Sequence, residues 1–464
     1  MCEGGLIMED YIKQHRISKD EKPMYHFTPP VGWMNDPNGF SYYQGQYHLF
    51  YQFYPYDTKW GPMHWGHAVS NDLITWKDLP VALAPDQEYD HLGVFSGSAM
   101  EINGQHYLMY TGVSEEGQNQ CLAIGDGYYY EKKGIVISNK ELPEGFNQQD
   151  FRDPKLGKDE KGYYCVVGNK DENNLGQVLL FRTEDFYHWQ YEGVIAKSDG
   201  LQGDMWECPD YFTIANKRCL VCCPQHLQAR KNQFHNGDNA VCIIDGQMTS
   251  LNSGIDFYAP QTMEINGRHI MVAWEQSWHN LYHPSNQQWM GMMSIPLDIT
   301  YNEALNKIDL LPVAEIENYV VQKVSYPEIQ IKEKCVLEGV KGRYFILDMD
   351  EFNSDLVDFE LILCANDRYQ STLYYDSTTR QFLFDRTYSG VSQDINCMRR
   401  SLSLNAPLSN LKIVADRNSL EIFANNGELM MSFVIFTPLE AENIYFKSSN
   451  MKTNITFKIL KMND

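Results

Sequence analysis

YQGQYHLFYQF (43–53) sets a Gly-Gln turn ahead of a run of apolar and aromatic residues, and the same construction returns four times. The copies are INGQHYLMYTG (102–112), EKGYYCVVGN (160–169), ANKRCLVCCP (215–224) and INGRHIMVAWE (265–275). Anchored on Tyr47, Tyr107, Tyr164, Cys219 and Ile270, the spacings are 60, 57, 55 and 51 residues. Asn-Gly and Gly-Gln turns leading into such runs are hairpin signals. A period of this length with several strands per unit predicts a β-propeller whose blades are slightly longer than usual. Five units predict five blades.

A second repeat supports the first. SNDLITWKDLPVAL (70–83) and TEDFYHWQYEGVIA (183–196) share Ser/Thr-x-Asp-apolar-x-x-Trp at a separation of 113 residues, about two units. Beyond residue 315 the texture changes to short alternating strands, among them RYFILDMD (343–350), DFELILCA (358–365) and ELMMSFVIF (428–436). Turn signals about every 8–14 residues between such strands predict a β-sandwich. The expected all-β chain is thus an extension over 1–23, a five-bladed propeller over 24–315, a linker with a short helix over 316–330, and a sandwich over 331–464.

Bulk properties narrow the function. The chain has 464 residues, enough for two cores, and a net charge of −23 that disfavours nucleic acid as a partner. Eleven cysteines without regular spacing predict reduced thiols and no zinc framework. MCEGGLIMEDYIKQHRISKDEK (1–22) has early acids and no apolar run, so it reads as no signal peptide, and no stretch has the length of a membrane span. The expectation is a cytoplasmic protein without membrane contact. Aromatic content of 13% fits strands first and sugar stacking second.

The chemistry sits just ahead of the repeated strands. Asp36 lies eleven residues before Tyr47, Asp153 eleven before Tyr164, and Cys208 eleven before Cys219. Glu207 is therefore offset by one, onto the position of Asn35 and Arg152. Phe95-Ser96-Gly97-Ser98 and Asp256-Phe257-Tyr258 occupy the corresponding stretches of units two and five. Innermost propeller strands line a central channel, so all five stretches are expected to face one funnel. Taken singly, Asn35-Asp36-Pro37 is a turn and Arg152-Asp153 a surface ion pair. Three acids in register are a structural statement.

Converging carboxylates equip a glycosidase, which needs one acid protonated and one ionised at the same pH. Met205, Trp206 and Cys208 flank Glu207 and nominate it as the general acid. The amides of Asn35 and Asn38 nominate Asp36 as nucleophile. Arg152 is expected to keep Asp153 permanently charged, suited to steadying an oxocarbenium-like transition state. At this level the two aspartates are interchangeable.

WMNDPNGF (33–40), FSGS (95–98), FRDP (151–154), WECPD (206–210) and GIDFYAPQ (254–261) resemble the ordered motifs of glycoside hydrolase family 32. ADRNSLEIFANNGE (415–428) resembles that family's sandwich signature. The resemblance implies a retaining displacement at a β-fructofuranosyl group, with Asp36 as nucleophile, Asp153 as stabiliser and Glu207 as acid/base. By similarity Asn35, Gln52, Trp60, Phe95, Ser96, Arg152 and Trp274 line the fructose subsite. It implies a small sugar substrate (sucrose, sucrose 6-phosphate or short fructooligosaccharides) and no metal or organic cofactor; the sandwich surfaces leave room for a homodimer.

Two stretches depart from the family's pattern. Pro296-Leu297-Asp298-Ile299 stands where Pro-Arg-Glu-Leu is frequent, and HLQARKNQFHNGDN (226–239) replaces a tyrosine-rich run. Arg230, Lys231 and His235 are the residues there that would meet a phosphate, with a solvated basic loop as the plainer reading. The competing readings are an inverting arabinan-type hydrolase and a non-catalytic fructan-binding protein.

Overall fold

The computed structural model describes residues 3–230, 234–235, 237–391 and 398–462. Five antiparallel sheets follow one another along the first two-thirds of the chain. Blade 1 is Gly32–Tyr43, Gln46–Tyr54, His64–Ser70 and Trp76–Leu83; blade 2 is Gly93–Ile102, Gln105–Ser114, Gly117–Gly125 and Tyr130–Ile137. Blade 3 is Phe146–Asp159, Gly162–Asp171, Gly176–Thr183 and Gln190–Lys197; blade 4 is Met205–Ile214, Lys217–Gln225, Val241–Ile244 and Gln247–Ser250. Blade 5 is Tyr258–Ile265, Arg268–Trp274, Leu297–Asn302 and Lys307–Pro312. Each repeated apolar run is the second strand of its blade, buried on both faces by its neighbours. Successive first strands touch one another, and that of blade 5 returns to touch that of blade 1. Trp289–Met290 adds a parallel pairing to Gly32–Trp33, lacing the last blade to the first.

The Ser/Thr-x-Asp-apolar-x-x-Trp repeat is one turn built twice. Asp72 accepts from the N–H groups of Ile74 and Thr75, and Asp185 from those of Tyr187 and His188. Leu73 and Phe186 adopt left-handed φ values of 69° and 67°, and each indole, Trp76 and Trp189, donates to the backbone oxygen of that residue at 3.1 Å. Equal dihedrals at a costly position identify a shared local geometry rather than a chance match.

The sandwich follows. Its six-stranded sheet runs Val320–Ile331, Met451–Leu460, Phe345–Asp350, Asn410–Ala415, Ser419–Ala424, Leu429–Val434. The five-stranded sheet runs Arg399–Ser403, Gln381–Tyr388, Gln370–Asp376, Asp358–Ala365, Asn443–Lys447. The expected linker helix is a short 3-10 turn, Ala314–Tyr319; the strand Val320–Ile331 that follows occupies most of the expected linker and pairs with Met451–Leu460. In the expected N-terminal extension the helix Glu3–His15 buries Met8 and Ile12 in the propeller core. Ile346, Val414, Phe423, Met430, Val434 and Leu460 join that same core from the sandwich side, so the two domains share apolar packing. Asp256 belongs to this junction. It is fully buried, pairs with Arg386 of the sandwich and accepts from the Val434 N–H at 2.8 Å. The expectation that it faces the funnel is corrected: it precedes the strand proper, and its carboxylate meets the Arg386 guanidinium of the sandwich.

Candidate active site

Every first strand breaks register at the same place. The irregularities fall between Met34 and Pro37, Phe95 and Gly97, Arg152 and Lys155, Glu207 and Asp210, and Tyr258 and Gln261. A bulge leaves its extra residue outside the ladder and turns the side chain away from the sheet. Pro37, Pro154, Pro209 and Pro260 sit in these bulges, where no N–H is required. Asp153, Cys208 and Ala259, one position earlier, have φ values of 65°, 47° and 50°. Non-glycine residues held there store roughly 1–3 kcal/mol each. The repeated bulge is what aims the five strands at one axis.

Around that axis the predicted carboxylates meet. Asp36 accepts from Asn35 Nδ2 at 3.0 Å through Oδ1 and from Ser96 Oγ at 2.6 Å through Oδ2. Asn35 is itself held by Trp33 Nε1, which donates to its Oδ1 at 2.8 Å. Asp153 Oδ2 accepts from the Cys208 N–H at 2.8 Å, and the Cys208 thiol lies 3.5 Å from both Asp36 Oδ2 and Asp153 Oδ2. Arg152 directs Nε and Nη2 to Glu207 Oε1 at 3.0 and 2.8 Å, and Nη1 to Asp150 at 2.7 Å. Tyr258 donates to Glu207 Oε2 at 2.6 Å.

The electrostatics differ from the sequence expectation. Burial, then Glu207 and Asp36, push Asp153 up to about 7, against the pull of Arg152 and the Cys208 N–H. The raised carboxyl runs against the expectation of a permanently charged Asp153. Its sequence neighbour Arg152 reaches Glu207 on the next blade instead: strand residues alternate sides, and the bulge turns Asp153 out of the ladder. The same alternation turns Trp206 away from Glu207: its ring packs between blades 3 and 4. What Glu207 faces is Arg152 and Tyr258.

The remaining predicted residues divide into two groups. Trp60 is 48% exposed and stands edge-on to Phe95 at 6.0 Å, an aromatic pair at the open rim. Gln52 is buried and donates to the Val94 carbonyl at 3.0 Å. Trp274 is fully buried between Trp33 and Trp278, with ring centroids 6.0 and 5.0 Å away. Arg230 reaches Asp199 at 3.8 Å, while Lys231 lies outside the described residues. Beneath the carboxylates the axis is filled: Lys155 Nζ meets Asp210 at 2.9 Å, and Gln261 bridges the Phe40 N–H and the Gly97 carbonyl. Two concavities of about 800 Å³ lie away from these carboxylates, so chemistry and not volume marks the site.

Sequence reasoning named the stretch containing Tyr258 but gave that residue no role. The signal was present: Pro260 stands ten residues before Ile270, as Pro37, Pro154 and Pro209 stand before their own anchors. That register puts Tyr258 on the position of Asn35, Arg152 and Glu207.

Residues 26–312 match the description "Glycosyl hydrolases family 32 N-terminal domain" and residues 315–463 match "Glycosyl hydrolases family 32 C terminal". The chain belongs to glycosyl hydrolase family 32. Family relatives include a sucrose-6-phosphate hydrolase of Escherichia coli, 35% identical over 92% of this chain and 92% of its own length. A raffinose invertase of the same organism is 32% identical over 91% of each. Among solved structures, a variant of a Bombyx mori family 32 beta-fructofuranosidase in complex with sucrose superimposes with a TM-score of 0.86. It is 29% identical over 99% of both chains. The family's propeller-plus-sandwich architecture is the one described above, and the chain is a glycoside hydrolase.

Proposed function

We propose that this chain hydrolyses the terminal β-fructofuranosyl bond of sucrose-type sugars with retention of configuration, using Asp36, Glu207 and Asp153. The observation that carries the reading is the asymmetric support of the carboxylates. Asp36 receives hydrogen bonds on both oxygens from neutral donors and keeps lone pairs free for attack on the anomeric carbon. Glu207 Oε1 is taken by two N–H donors of Arg152, so the transferable proton belongs on Oε2, shared with the Tyr258 hydroxyl. That hydroxyl has a second acceptor, the Cys223 carbonyl at 3.5 Å, to turn to when Oε2 is protonated.

In the first step Asp36 forms a bond to the anomeric carbon as the glycosidic bond breaks, and the leaving oxygen takes the proton of Glu207. In the second, Glu207 removes a proton from water as that water displaces Asp36. Asp153, once ionised, faces the positive charge developing on the ring. Asn35, Gln52, Ser96 and Arg152 supply polar contacts, and Trp60 and Phe95 the aromatic surface of the fructose subsite; Trp274, expected to line it, is fully buried and instead backs Trp33. Replacing Asp36 by Ala or Glu207 by Gln abolishes fructose release while circular dichroism is unchanged; normal turnover in either variant ends the proposal. NMR of the first-formed fructose must show the β-anomer, whereas an α-product returns the inverting alternative.

The finer reading favours an unphosphorylated substrate. Near blade 4, whose first strand carries Glu207, three described basic side chains each have an acid beside them: His226 with Asp204 at 3.0 Å, His279 with Asp238 at 3.5 Å and Arg230 with Asp199. A cytoplasmic address is part of the same proposal. The nine described cysteines are free thiols, and no described helix is long and apolar enough to cross a membrane.

A further inference from the structure

The domain junction holds a charged cluster with no solvent exposure. His26 Nδ1 lies 2.9 Å from Asp416 Oδ2, and His26 Nε2 lies 3.1 Å from Glu275 Oε2 and 3.5 Å from Glu421 Oε2. Ser419 donates to Glu275 Oε1 at 2.5 Å. Asp416 also accepts from the N–H groups of Met24, Tyr25 and His26 at 2.8–3.1 Å. His26 leads into blade 1, Glu275 follows the second strand of blade 5, and Asp416, Ser419 and Glu421 belong to the sandwich. Apolar packing alone holds domains together without such a cluster, and burying three carboxylates is expensive unless each is paired. The cluster fixes geometry.

What it fixes leads to the nucleophile through a short chain of contacts. Glu275 follows Trp274 directly, and its N–H donates to the Met292 carbonyl at 2.8 Å. Met293 donates to the Phe27 carbonyl, beside His26, at 2.8 Å. Gly291, between these strands, leaves no slack: a Cβ there would stand 2.0 Å from the Met34 carbonyl and 2.8 Å from Trp274 Nε1. Trp274 packs on Trp33, Trp33 holds Asn35, and Asn35 holds Asp36. Interiors packed this closely transmit displacement rather than absorb it.

We infer that the sandwich is a positioning element for the nucleophile: Asp416, Ser419 and Glu421 hold His26 and Glu275, and through them the Trp33–Trp274 pair that orients Asn35 against Asp36. A parallel grip serves the acid/base, where Arg386 holds Asp256, two residues ahead of the Tyr258 that donates to Glu207. The inference rests on the fructofuranosidase reading and gives the second domain a part in it.

The test measures kcat and KM for fructose release from sucrose in the full-length chain. Its variants are Glu421→Gln, Ser419→Ala and a control, Phe359→Leu, in the sandwich's own buried core. Misplacement of a reacting group by a fraction of an ångström predicts a fall in kcat of about 10-fold for Glu421→Gln with KM nearly unchanged. Phe359→Leu, at a comparable loss of Tm, leaves kcat at the wild-type value. Glu421→Gln combined with Asn35→Ala is less than multiplicative, because both act through one carboxylate. Glu421→Asp restores part of the rate. An unchanged kcat in Glu421→Gln, a fall equal to that of the control, or a multiplicative double variant overturns the inference. Should Glu421→Gln not fold, Ser419→Ala decides by the same criteria. A wild-type chain that releases no fructose refutes the fructofuranosidase reading instead.

Discussion

The hydroxyl of Tyr258 lies 2.6 Å from Oε2 of Glu207, on the oxygen that Arg152 leaves free. Both residues occupy the same register position in adjacent blades, so one bulge presents the acid and the next presents its partner. A hydrogen bond to a charged group contributes about 1.5–3 kcal/mol. Tyr258→Phe is therefore expected to lower kcat on sucrose by about 10-fold or more, since 1.4 kcal/mol is a factor of ten in rate. The fold and Tm change little, because the ring's packing is retained. Steady-state kinetics beside a thermal melt checks this; an unaltered kcat dissociates Tyr258 from proton transfer.

Asp153 sets the acid side of the pH profile. Its carboxyl is raised to about 7 by burial and by the nearby Glu207 and Asp36. The useful form is the anion, which is lost as pH falls through that value, so kcat/KM on sucrose declines below about pH 7. The stability sign is opposite: a raised carboxyl favours folding at low pH, and that contribution fades as pH rises through 7. Activity and stability should thus diverge between pH 5 and 7. A kcat/KM profile that stays flat from pH 7 down to 5 contradicts the assignment.

The junction cluster gives stability its own pH dependence. Burial, reinforced by Glu421 and opposed by His26, raises Glu275 from 4.5 to about 8. His26 is held well above its usual range; burial disfavours its charge, but Glu275, Asp416 and Glu421 outweigh that. Both groups keep protons in the folded chain that the unfolded chain releases. The stability they supply is complete below about pH 4.5 for Glu275 and is lost as pH rises through 8. Asp416, lowered by His26 and backbone N–H groups despite burial, acts in the opposite sense and only at the acid end. The wild-type Tm should fall from pH 6 to pH 9, and Glu275→Gln should fall less steeply. Calorimetry across that range decides, and parallel curves refute the assignment.

Periodicity carried the architecture because each second strand is buried on both faces and so repeats a legible apolar run. Asp36, Asp153 and Glu207 were legible because a bulge with proline recurs in register. The partners of those acids were not. Arg152 is adjacent to Asp153 in sequence yet grips Glu207, because the bulge turns Asp153 out of the ladder, and Trp206 is adjacent to Glu207 yet packs between blades, because pleating sends paired neighbours to opposite sides. Asp256 and Arg386 are 130 residues apart, and no local pattern announces their pairing. The junction histidine and its three carboxylates were silent for the same reason.

The mouth's charge pattern makes the last prediction. A sugar 6-phosphate brings a dianion to a rim where His226, His279 and Arg230 are already matched by Asp204, Asp238 and Asp199. Matched cations offer no net attraction, and each further acid about 8 Å from a unit charge in water costs roughly 0.5 kcal/mol. A few such terms, on a chain of net charge −23, amount to about tenfold discrimination. Sucrose should therefore show the higher kcat/KM, by about 10-fold over sucrose 6-phosphate at low salt. Added salt narrows the gap by screening exposed charges. Asp204→Asn, which removes one acid beside His226, should raise the phosphorylated substrate's kcat/KM and leave that of sucrose nearly unchanged. Equal or faster turnover of sucrose 6-phosphate by the wild-type chain means the basic loop around Arg230 receives the phosphate after all, and the unphosphorylated reading falls.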